Sequence, residues 1–132
     1  MTIHAVRTIS VGIDRDWRAV YEFLSVPPNF PRWASGLGAN LEAAGDEWLA
    51  SGPDGPIRIR FAPPNPFGVV DHVVVATSGA QTLNPMRVMP NGTGCEVSFT
   101  LFQAPGMSDE RFAGDAAWVA RDLQTLKSLL EA

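Results

Sequence analysis

The amino-acid sequence predicts one α+β domain in which an antiparallel sheet and a long C-terminal helix enclose an apolar interior. Short runs of strand-like alternation follow one another through the middle of the chain, separated by turns rich in Gly, Pro, Asn and Asp. One unbroken tract with helical spacing closes the chain. The 132 residues, 45% of them hydrophobic, are enough for one substantial core and too few for two ordinary domains. Four Trp and seven Phe supply large core-forming side chains, so global disorder is excluded.

The elements follow in order. Ile3 to Ile9 alternates as a first strand, with Ile3, Ala5, Arg7 and Ile9 in one phase, and Gly12 then releases the chain. Asp14 is placed to cap a helix whose buried face is Trp17, Val20, Tyr21 and Leu24, and Pro27 and Pro28 stop that helix near Val26. Asn29 to Gly36, carrying Phe30, Pro31, Arg32 and Trp33, reads as a second, very short helix that needs tertiary packing to form. Six strands are then expected: Ala39 to Ala43, Glu47 to Ser51, Ile57 to Ala62, Val69 to Ala76, Gln81 to Met89 and Cys95 to Phe102. The connections are too short to hold crossover helices, so hairpins are expected. After Gly106, Ser108 is placed to cap the last helix, in which Phe112, Ala116, Val119, Leu123, Leu126 and Leu130 trace one apolar face and Trp118, Thr125 and Leu129 broaden it.

Charge narrows the partners. Fourteen acidic side chains against ten basic ones leave a net charge of −4 with no basic tract, which disfavours nucleic acid. No stretch reads as a transmembrane segment and Met1 to Val11 lacks the order of a secretory signal, so a cytoplasmic protein is expected. Cys95 stands alone, which excludes an intrachain disulfide and predicts a buried thiol. No metal-ligand spacing, glycine-rich phosphate loop or serine nucleophile turn is present, so neither a metal nor a cofactor is expected.

At the first helix and the proline-bounded segment after it, Asp14, Trp17, Val20, Tyr21, Phe23 and Leu24 followed by Pro27, Asn29, Phe30, Pro31, Arg32 and Trp33 carry a resemblance. The strand Gly68-Val69-Val70-Asp71-His72 and the run from Asp122 to Leu130 add to it. Together they resemble the START-like superfamily, also described as Bet v 1-like or polyketide cyclase and dehydratase-like (SRPBCC). The resemblance implies a helix-grip fold: a seven-stranded antiparallel sheet around a long C-terminal helix, with two short N-terminal helices. It also implies a cavity for lipids, steroids, polyketides or other apolar ligands, with cyclase, dehydratase or hydrolase activity in some members. Fold resemblance speaks more for a cavity than for catalysis.

The function expected first is therefore binding of a small apolar or amphipathic molecule. Trp33, Trp48, Met86, Met89, Phe99 and Trp118 are the candidate wall residues, since aromatic rings and Met cover large apolar areas and adapt to irregular ligands; ordinary core packing is the competing reading. Phe30 and Phe67, beside proline-rich connections, are candidates for the entrance. The second expectation is a cyclase or dehydratase in which His72 or Asp71 transfers a proton. Strand alternation puts these two neighbours on opposite faces, so they do not form a same-face dyad. A satisfied structural His, and an Asp paired with Arg58, Arg60 or Arg87, are the alternatives. The alternation of Arg58 and Arg60 with Ile57, Ile59 and Phe61 points to an exposed sheet face. A third expectation uses the broad apolar face of the last helix for association, as in a homodimer.

Overall fold

A computed structural model of the chain describes residues 3–38 and 40–132. The first strand, β1 (Val6–Ile13), lies later than the alternation suggested and carries Gly12 within it. Its position is set by an antiparallel partner eighty residues on, with register from Val6 opposite Phe102 to Ile13 opposite Cys95. Helix α1 (Trp17–Leu24) is capped by Asp16, whose carboxylate accepts the Arg18 N–H at 3.1 Å. Asp14, the expected cap, instead donates its own N–H to Glu131 near the other end of the chain, at 2.7 Å. The short second helix is a 3-10 helix, Pro27–Arg32, beginning two residues earlier than expected because prolines suit a helix start that needs no N–H.

Eight strands form among the described residues where seven were expected. After β2 (Glu42–Ala44), β3 (Glu47–Gly52) and β4 (Gly55–Phe61) come β5 (His72–Val75), β6 (Gln81–Asn84), β7 (Met86–Asn91) and β8 (Gly94–Phe102). The strand expected from Ala39 starts at a residue outside the described set. The continuous run expected from Gln81 to Met89 divides at Pro85, which has no N–H for a ladder. Its carbonyl accepts the Thr100 N–H at 2.9 Å, and from there the chain passes from one sheet to the other. One sheet has the order β1-β8-β7 and the other β2-β3-β4-β5-β6, with every pairing antiparallel.

The segment before β5 makes the same passage. Val70 donates to the Met86 carbonyl and Val88 to that of Gly68, both at 2.9 Å, so residues 68–70 lean on β7 while His72–Val75 pair with β4. Gly68 permits this approach: its φ is +73°, and a Cβ there would run into the Val88 carbonyl.

Helix α2 (Asp109–Glu131) starts at Ser108, whose hydroxyl accepts the Arg111 N–H at 3.0 Å. Phe112, Ala116, Leu123, Leu126 and Leu130 are buried along it. Ladder rows such as Val11, Val97 and Val88 provide the opposing layer, and Cys95 is a buried free thiol beneath them. The apolar face once available for association is thus largely covered within the chain. No helix among the described residues is long and apolar enough to cross a membrane.

Candidate ligand-binding cavity

Between the five-stranded sheet, Phe99 of β8, the turn after the 3-10 helix and α2 lies a cavity of about 190 Å³. Three sources build its wall. Register places Ile59 opposite Val74, and Phe61 and Asn84 either side of His72, so these side chains share one sheet face; Ile59, His72, Val74 and Asn84 line the cavity. The segment after α1 supplies Phe30, Trp33 and Leu37, with the Phe30 and Trp33 rings 4.9 Å apart. Helix α2 supplies Trp118, Val119 and Asp122.

His72 is 2% exposed. Its Nδ1 lies 3.3 Å from the Val70 carbonyl, which can only accept, so Nδ1 carries the proton and Nε2 accepts from the Asn84 amide at 3.4 Å. The rings of Phe30, Phe99 and Phe61 surround it at 5.0, 5.7 and 5.8 Å. Burial of this kind penalises the imidazolium, and outweighs the hydrogen bond to Val70 and the charge of Asp71, so the pKa falls from 6.5 to about 4. The ring is neutral at pH 7.

On the other wall, Asp122 occupies the apolar stripe of α2 between Val119 and Leu126. Its Oδ1 accepts from the Ser35 hydroxyl at 2.6 Å and the Ser35 N–H at 3.3 Å, while Trp118 donates its indole N–H to the same hydroxyl at 2.7 Å. This relay pins the turn to the helix. Burial raises the Asp122 pKa, and the hydrogen bonds from Ser35 offset that only in part. The Trp33 indole N–H is buried and has no hydrogen-bond partner among the described residues.

No family model matches the sequence, and no curated protein is similar to it. Solved structures are similar in shape. An uncharacterized protein from Bacillus thuringiensis superposes with a TM-score of 0.77 at 18% identity, covering 95% of this chain and 98% of that one. DynU16, a protein of the dynemicin biosynthetic locus, gives 0.72 at 15% identity over 96% of this chain and 47% of its own. Ara h 8.0201 gives 0.68 at 8% identity over 95% and 97%. The fold is Bet v 1-like. At these identities the likeness establishes the helix-grip architecture and leaves function to the site.

Within this helix-grip cavity, Trp33, Phe99, Trp118, Phe30 and His72 of the residues singled out in the sequence come together. Phe30 lies in the wall beside His72. The others are elsewhere. Met86 is buried opposite Phe99 in the three-stranded sheet, as core. Met89, three residues on, falls in the outward phase of β7 with Arg87 and is 48% exposed. Phe67 is 77% exposed in the loop before β5 and does not line the cavity. Trp48 is half-buried beside Ile59 but does not line the cavity.

Asp71 is withdrawn from the cavity. Arg87 holds it in a two-pronged ion pair, with both N–H···O distances 3.0 Å, and the Met86 N–H adds a bond at 2.8 Å. Partial burial works against its ionisation, but these bonds prevail and lower its pKa. Of the three Arg considered, Arg87 is the partner; Arg58 and Arg60 reach Glu47 on the outer face. Asp122 and Ser35 were missed. The signal was present in the sequence: a carboxylate three residues after Val119 and four before Leu126 stands inside an apolar stripe.

Proposed function

We propose that the chain acts as one ligand-binding unit and takes a small hydrophobic or amphipathic organic molecule into the helix-grip cavity. The observation that carries this reading is a cavity walled mainly by aromatic and aliphatic side chains that also takes in the polar residues His72, Asn84 and Asp122. Size limits the ligand. A cavity of about 150 Å³ accommodates benzene, whereas drug-sized ligands occupy about 300–1,000 Å³. The volume of about 190 Å³ therefore favours one ring, or two fused rings, over a steroid or a lipid chain.

A cyclase or dehydratase reaction is the second reading, favoured only by the position of His72 at the cavity wall. It would rest on His72 alone, since Asp71 is engaged with Arg87 on the other side of the strand. A pKa of about 4 makes that imidazole a weak base.

Val74→Phe tests the binding reading, because the larger ring extends from β5 into the cavity. Titration calorimetry with 2-phenylethanol should show saturable binding to the native chain and at least about a tenfold weaker interaction with the variant, at similar thermal stability. Equal affinity for both proteins would place the ligand elsewhere.

A further inference from the structure

Asp122 has a second carboxylate oxygen that Ser35 leaves unused, and this narrows the ligand class. Oδ1 is occupied by Ser35, whereas Oδ2 has no hydrogen bond or ion pair among the described residues. Asp122 as a residue is 9% exposed and borders the cavity. A buried carboxylate without a cationic partner is costly unless a cation or donor reaches it. Trp118 lies one helical turn before Asp122 on the same side of α2 and also lines the cavity.

The mouth has a matching character. Gly36, Pro53 and Trp118 border both the cavity and an adjoining surface cleft, and that cleft carries Asp54, Glu110 and Asp115 against the single Arg111. Arg111 is paired with Asp115 at 3.5 Å. The approach to the cavity is therefore net negative, and such a field concentrates cations and repels carboxylates. The carboxylate inside and the acidic mouth outside point the same way.

Building on the ligand-binding reading above, we propose that the cavity selects a small aromatic amine, its ring among Phe30, Trp33 and Phe99 and its ammonium on Oδ2 of Asp122. The cation–carboxylate contact supplies the selectivity, and Ser35 positions the carboxylate by holding Oδ1. No covalent step is involved.

Four probes of similar shape separate this proposal from the reading it rests on: 2-phenylethylamine, propylbenzene, 2-phenylethanol and 3-phenylpropanoate. Calorimetric titration of the native chain should rank the amine at least about tenfold tighter than propylbenzene and 2-phenylethanol, with 3-phenylpropanoate weakest. Asp122→Asn should remove that advantage, bringing the affinities for the amine and for 2-phenylethanol within about twofold of each other, with stability followed by thermal melting. An amine that binds no more tightly than its neutral counterparts overturns the amine assignment and leaves the cavity reading standing. Failure of all four probes to bind overturns both. Should Asp122→Asn not fold, the ranking on the native chain decides alone.

Discussion

Burying an imidazole among three phenyl rings makes a proton expensive at His72, and that cost becomes a pH dependence of stability. The folded pKa of about 4 lies below the ordinary 6.5, so between these values the unfolded chain binds a proton that the folded chain refuses. Stability therefore falls as pH drops from about 6.5 toward 4, and the cost is fully present below 4. A shift of this size corresponds to about 3 kcal/mol. Comparing urea denaturation of the native chain and His72→Gln at pH 7 and pH 4 isolates it, because Asp71, Asp122 and Glu131 titrate in both proteins. The native chain should lose about 3 kcal/mol more than the variant over that range. Equal losses would mean that the imidazole is protonated in the folded state. Strand alternation was enough to separate His72 from Asp71 in the sequence. It could not show that Arg87 would engage Asp71, because that pair depends on how β7 registers against the segment before β5.

At the scale of elements, the joins between the two sheets matter more than the strands themselves. Pro85 and Gly68 stand at these joins, one by ending a ladder and the other by allowing backbone to approach backbone. Gly68→Ala introduces a methyl against the Val88 carbonyl and a side chain at φ +73°. We expect it to destabilise the protein by more than about 2 kcal/mol and to speed amide exchange at Val70 and Val88, measured by hydrogen exchange. Unchanged protection at both amides would show that the join tolerates a side chain. The strand centres, the proline stop after α1 and the Ser108 cap were legible in the sequence because local chemistry decides them. The break at Pro85 was readable too, yet the alternation on both sides masked it. The Asp16 cap was not, because Asp14 is drawn to Glu131, 117 residues away.

For the molecule as a whole, the two sheets and α2 close around an interior that packing fills on one side and leaves open on the other. The filled side holds Val11, Val88, Val97 and Leu126; the open side is where Phe30, Trp33, Phe99 and Trp118 converge with His72 and Asp122. Fold class and helix order were legible, because composition and turn spacing constrain them. The cavity wall was legible only in part: Met86 and Met89 have the right chemistry for a wall, but strand phase packs Met86 into the core and turns Met89 outward. The central claim is that a small ring enters this open side, and the four indole N–H resonances report on it directly. Two-dimensional NMR during titration with 2-phenylethanol should move the Trp33 and Trp118 signals together along one saturation curve, while Trp17, which does not line the cavity, stays in place. Shifts that never saturate, or a Trp17 response as large as that of Trp33, would contradict the account.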